Sequence, residues 1–179
     1  MTEIVRHRFL DHKINPQTET LIIGTFNPDT PANKADFFYS TGRNYLWCLL
    51  PRAFGENPLK QADKAAKLDF VRDKRIDFID LISAVQVDQG KEGNRADKYI
   101  DKKVLEWRDV IREIDTLGAL KRACFTRRRS SDIPQIRSRL EKVENYLLTK
   151  RGIKLKYLIS PARYYNEAKQ SEWSTFLCS

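Results

Sequence analysis

The sequence predicts an α/β fold, a three-layer α/β/α sandwich around a central four-stranded, mainly parallel sheet. Three observations lead there. Short apolar runs recur along the chain and break off in polar or proline-containing sequence. Stretches with helical spacing lie between them. Strands that alternate with helices imply a parallel sheet covered on both faces. The length of 179 residues suits a single domain over 1–179 with a sizeable core.

The expected strands are Thr20–Thr25, Ile76–Leu81, Arg122–Thr126 and Leu155–Ser160. Each is short and rich in apolar or β-branched residues. Asn44–Phe54 reads as a short helix carrying Leu46, Trp47, Leu49 and Leu50, and Gln61–Arg72 as a second with Ala65, Leu68 and Val71 along its seam. Between Lys98 and Leu117, Val104, Trp107, Ile111 and Ile114 recur at helical spacing. The next helix starts near Ser131-Asp132-Ile133-Pro134, where polar caps precede a proline in the first turn. It buries Ile136, Leu140, Val143 and Leu147 and stops at Lys150-Arg151-Gly152. A last helix covers about Asn166–Leu177. Gly90–Arg95 is the flexible-loop candidate, read as a tolerated surface insertion in preference to a substrate loop.

Composition narrows the function. An apolar fraction of 41% with 11% aromatics marks a folded chain. No apolar run is long enough for a membrane helix, and Met1–His12 alternates charged and apolar residues without a signal-peptide core. The expectation is a cytoplasmic monomer with no membrane partner. Cys48, Cys124 and Cys178 are far apart and odd in number, which suits reduced thiols. They are too few for a four-cysteine cluster, and His7 and His12 have no cysteines near them. No metal and no cofactor are expected. The net charge of +9 points to a polyanionic partner, nucleic acid first. The Gly-rich phosphate loops of nucleotide-binding folds are missing, which weighs against a small-nucleotide hydrolase.

In a parallel sheet the loops after all four strands gather at one edge, where open α/β sheets bind ligands. Those loops begin with Asn27-Pro28, Asp80-Leu81-Ile82-Ser83, Thr126-Arg127-Arg128-Arg129 and Ser160-Pro161-Ala162-Arg163. Several of these residues have a plain structural reading. Asn27 can cap an Asx turn before Pro28, and Asp80 can N-cap the segment after it. Phe37, Phe38 and Trp47 read as core. Asn44 can cap the following helix or read a base edge. Arg127, Arg128 and Arg129 form a solvated run or a phosphate grip, helped by the helix N-terminus beyond them. Arg163 and Tyr164 form a surface pair at a helix start, or contact phosphate and wedge into a base stack.

Leu21-Ile22-Ile23-Gly24-Thr25-Phe26-Asn27-Pro28, followed by Phe37-Phe38-Tyr39-Ser40-Thr41-Gly42-Arg43-Asn44-Tyr45-Leu46-Trp47, resembles the front half of the uracil-DNA glycosylase superfamily. The nearest branches are the mismatch-specific uracil/thymine glycosylases, in which Gly-x-Asn-Pro precedes an aromatic and an Asn-x-Phe-Trp helix start, and the hypoxanthine glycosylases. This version carries one extra residue between Gly and Asn. Leu158-Ile159-Ser160-Pro161-Ala162-Arg163 looks like the second motif, which inserts into the duplex, with Ser160 in place of His or Asn and Ala162 in place of Ser.

The resemblance implies a DNA glycosylase that flips a deaminated or otherwise modified base, uracil or hypoxanthine first, and hydrolyses its glycosidic bond without a cofactor. Asn27 and Asp80 are then the catalytic candidates. Phe26, Tyr39, Asn44 and Ser160 are the base-binding candidates. Arg43, Arg127, Arg128, Arg129, Arg163 and Tyr164 are the candidates for DNA contact. The loss of His at Ser160 keeps a rival open, a catalytically silent nucleic-acid binder on the same fold.

Overall fold

The computed structural model describes residues 1–179. The chain runs through β1 (Thr2–Arg6) and β2 (Thr20–Gly24), then α1 (Leu46–Ala53) and α2 (Lys64–Asp73). Next come β3 (Ile76–Asp80), β4 (Ile82–Asp88) and the single-turn α3 (Asp97–Ile100). A 3-10 turn, Asp101–Lys103, leads into β5 (Val104–Trp107) and α4 (Val110–Asp115). The chain closes with β6 (Arg122–Phe125), α5 (Pro134–Arg151), β7 (Lys156–Tyr157) and α6 (Glu167–Cys178). No helix is long and apolar enough to cross a membrane.

The four-stranded sheet has the order β3-β2-β6-β7, and every pairing in it is parallel. Its inner strands carry apolar residues on both faces because helices cover both. Leu21, Ile23, Ile79 and Phe125 point into a cluster with Val110 and Ile114 of α4 and Ile136, Leu140, Val143 and Leu147 of α5. The intervening Ile22, Phe78 and Cys124 face the opposite cluster, built on Trp47 of α1, Phe70 of α2 and Trp173 of α6. The two-residue period of the strands thus divides one apolar run between two cores. Local signals set the helix ends. Asp63 and Asn166 accept the N–H groups of Ala66 and Lys169 and cap α2 and α6. Pro134 occupies the first turn of α5, and Gly152 ends that helix at φ 65°, a left-handed conformation that suits glycine.

A second sheet, β1-β4-β5, is antiparallel and departs from the sequence expectation. Val104–Trp107 is a strand, although its apolar spacing fits a helix. Asp101, the first residue of the 3-10 turn, accepts the Ile136 N–H at 2.7 Å and ties that turn to α5, and the chain leaves it extended to pair with Ile82–Val85. Tertiary pairing overrides the local period here. The last strand is also shorter than expected. After Tyr157 the chain turns away, and Pro161 O and Arg163 N pair with Tyr45 N and Arg43 O.

Candidate active site

The carboxyl ends of β2, β3, β6 and β7 open onto one cavity of about 340 Å³. All four strand-end loops named from the sequence reach it, through Thr25-Phe26-Asn27, Asp80, Thr126-Arg127 and Ser160-Pro161-Ala162-Arg163. The segment before α1 closes the fifth side with Tyr39, Thr41, Arg43 and Asn44.

The floor is built around Gly24. A Cβ there would lie 2.2 Å from Asp80 Oδ1 and 2.3 Å from the Tyr39 hydroxyl, so only glycine lets both oxygens approach. Asp80 is buried and does not cap a helix, contrary to the simpler reading of it. The chain passes through Leu81 straight into β4, crossing from one sheet to the other. Its Oδ2 lies 2.6 Å from His7 Nε2, and His7 is 1% exposed in its side chain. Tyr39 sits at φ 57°, a left-handed turn that swings its ring against Phe78 and its hydroxyl to 3.4 Å from Thr126 Oγ1. Burial, and after it the Asp80 charge, pushes the Tyr39 phenol well above its ordinary range, so it remains a hydrogen-bond donor.

Asn27 does not close an Asx turn. Its Oδ1 accepts from Asn33 Nδ2 at 2.6 Å, and the same amide nitrogen donates to Pro28 O at 2.6 Å. One lone pair of Oδ1 and the NH2 group are left for a ligand. Asn44 keeps both of its expected roles open. Its Oδ1 accepts the Leu46 N–H at 3.0 Å at the start of α1, and its side chain lines the cavity. Phe26 lines the cavity next to the His7 ring, which it meets edge-on. Ser160 Oγ accepts the Ala162 N–H at 3.3 Å, which leaves the hydroxyl proton free to donate.

The cationic rim separates into paired and unpaired groups. Arg127 is held between Asp97 at 3.0 Å and Asp132 at 2.6 Å, and Arg128 by Glu172 at 3.0 Å. Arg129 is exposed and away from the cavity wall. Arg43 and Arg163 stand at the mouth without carboxylate partners, and Arg163 adopts φ 76°. Tyr164 is 54% exposed, with Lys169 Nζ 3.9 Å from its ring centroid.

Three residues at the site escaped the sequence reading. His7 comes from the end of β1, and the alternation of Met1–His12 was the only trace of that strand. Arg95 comes from the loop read as an insertion. It lines the cavity, and its Nη1 donates to Thr41 Oγ1 at 2.6 Å. Lys169 is a buried lysine whose Nζ donates to Ala162 O at 2.8 Å and Tyr164 O at 2.9 Å, fixing the loop after β7. Burial, then Arg163, draws its pKa below the usual lysine range. No group of three or more His, Cys, Asp or Glu side chains is gathered where it could hold a metal ion.

No family model and no curated protein matches the sequence. Among solved structures, the chain is similar to the solution NMR structure of a putative uracil DNA glycosylase from Methanosarcina acetivorans. The match has a TM-score of 0.63 at 24% identity and covers 92% of this chain and 91% of that one. At that identity the likeness is one of fold.

Proposed function

We propose that the protein is a monofunctional DNA glycosylase that turns a deaminated or otherwise modified base, uracil or hypoxanthine first, out of the helix and hydrolyses its glycosidic bond. The observation that carries the reading is a base-sized cavity in which an amide, a buried carboxylate and an aromatic wall meet beneath a rim of unpaired arginines. Asn27 positions the attacking water and contacts the sugar or base. It is too weak a base to take a proton outright, so its contribution is placement. Asp80 adds negative charge beside a sugar that becomes cation-like as the base departs. Tyr39 and Phe26 wall the extruded base; an aromatic stacking platform contributes roughly 1–3 kcal/mol. Ser160 and Asn44 donate to its polar edge, where charge develops on the leaving base. Arg43, Arg95 and Arg163 take the flanking phosphates.

The test is a single-turnover panel of duplex and single-stranded oligonucleotides carrying uracil, hypoxanthine, xanthine or a thymine mismatch. The expected product is an abasic site, cleaved only after alkali, formed from at least one substrate without added metal. The replacement of His by Ser160 favours a second reading, the silent nucleic-acid binder. DNA binding with no base release across a broad modified-base panel would establish that reading instead.

A further inference from the structure

Just past the end of β1, His7 places an imidazole beneath the floor of the cavity, against Asp80, and the proton positions on that ring follow from its neighbours. The Phe9 backbone N–H donates to His7 Nδ1 at 3.0 Å, so Nδ1 carries no proton. The proton is therefore on Nε2, which faces Asp80 Oδ2 at 2.6 Å. A protonated imidazolium would set its Nδ1–H against the Phe9 N–H, with no acceptor between them. The rings of Phe9, Phe26 and Phe38 surround His7 and exclude water. Asp80 Oδ1 accepts no hydrogen bond from the protein and faces the cavity beside Gly24.

We propose that His7 is a positioning residue for Asp80: a neutral imidazole, locked as the Nε2–H tautomer, fixes one carboxylate oxygen so that the other is aimed at the reacting sugar. The inference rests on the glycosylase reading. In that reaction the C1′–N bond breaks and its electron pair leaves with the base. A water oxygen bonds to C1′, and the proton it releases passes to the departing base or to bulk water. Asp80 stays anionic, accepting a hydrogen bond from the water and facing the positive sugar. His7 neither gains nor loses a proton. It prevents the buried carboxylate from rotating, which would turn the charge that stabilises the cationic sugar away from it.

His7→Asn and His7→Gln separate this role from packing. The Asn amide falls near the Nδ1 position and cannot reach Asp80, whereas the Gln amide nitrogen falls near Nε2 and can. The single-turnover rate of base release should drop about 10- to 100-fold in His7→Asn, the weight of one hydrogen bond to a charged group. His7→Gln should run at least about tenfold faster than His7→Asn. DNA affinity should be unchanged in both, since His7 lies beneath the cavity. An unreduced rate in a folded His7→Asn, or equal losses in both variants, would overturn the role while leaving the glycosylase reading intact. A parent protein that releases no base overturns that reading and the catalytic role with it. The ring chemistry has its own measurement. Long-range ¹H–¹⁵N spectra of the free protein near neutral pH should show a pyrrole-type Nε2 and a pyridine-type Nδ1, and the opposite tautomer or an imidazolium would refute the proposed lock.

Discussion

The two sheets reach the same cavity by different physical means. The four-stranded sheet is a core element. All five residues of β2 and of β3 are buried, and their apolar side chains are divided between two clusters. The three-stranded sheet is one-sided. β1 buries only Val5, while Ile4 is 56% exposed. Yet β1 and the residues after it brace the first motif directly. His7 N donates to Ser83 O, Arg8 N to Asn27 O and Asp29 N to Arg6 O, each at 2.8 Å. The parallel sheet supplies a rigid edge from which polar loops can project. The antiparallel sheet supplies the clamps that set their side chains, and Asp80 stands at the junction of the two.

If the contrast is right, truncation should be costly in one sheet and nearly silent on the outer face of the other. Phe78 is fully buried against Phe37, Phe38, Tyr39 and Trp47. Phe78→Ala should lower the unfolding free energy by about 3–5 kcal/mol. Ile4→Ala, on the exposed face of β1, should stay within about 0.5 kcal/mol. Denaturant titrations of both variants decide it, and comparable losses would erase the distinction.

The next effect tests the clamped loop. Asn27→Ala should slow base release about 100-fold with DNA affinity intact, because misplaced water costs rate and not binding. Asn33→Ala removes only the donor that orients Asn27. It should therefore show a smaller loss of the same kind in the same assay. Full activity of Asn27→Ala would shift the catalytic assignment to Asn44 and Asp80.

Gly24 lies between the two roles, as a sheet residue whose missing side chain makes room for the site. Gly24→Ala forces Asp80 and Tyr39 apart, and overpacking of this sort costs about 1–3 kcal/mol. Gly118→Ala has open space around the new methyl and serves as the control. Melting curves and release rates should both fall for the first and hold for the second. A Gly24→Ala protein with the parent's rate would mean that the two oxygens are not held at this spacing for function.

The same contrast explains what could be read from the sequence. Leu21-Ile22-Ile23 and Ala123-Cys124-Phe125 were legible as strands because burial on both faces leaves an unbroken apolar run ending in polar residues. The cap signals of Pro134 and Gly152 gave both ends of α5 correctly. The second sheet was missed because its outer strands, β1 and β5, bury little and so leave no continuous apolar run. Val104 and Trp107 satisfy a helical period as well as a strand, and only the pairing with β4 distinguishes them. Within the cavity lining, strand ends pointed to Asn27 and Asp80 and a helix start to Asn44, whereas Tyr39 came from the family resemblance. His7, Arg95 and Lys169 were out of reach for the same reason in each case. Their roles depend on contacts with residues far away in the chain, Asp80, Thr41 and the loop after β7.

The smallest effect concerns the rim and refines the reading of the arginine run. A guanidinium already neutralised by carboxylates releases few counterions when a phosphate arrives, whereas an unpaired one contributes its full share. Arg95 makes no ion pair and reaches the mouth from the loop after β4, held by Thr41. Arg127, at the end of the parallel sheet, is tied to both Asp97 and Asp132, and the hydrogen bonds it donates hold Asp132 below the usual carboxylate range. Arg95→Gln should therefore reduce the magnitude of the log-affinity versus log-salt slope by about 0.9 on duplex DNA. Arg127→Gln should change it far less, and Arg129→Gln should leave it as it was if the exposed end of the run lies off the DNA path. Base preference should survive in all three, because phosphate contacts orient the duplex while the cavity reads the base. Salt titrations of binding to one oligonucleotide rank the variants. A larger slope change for Arg127 than for Arg95 would show that its carboxylate partners yield to phosphate on binding, and would move the DNA path from the antiparallel side of the mouth to the end of β6.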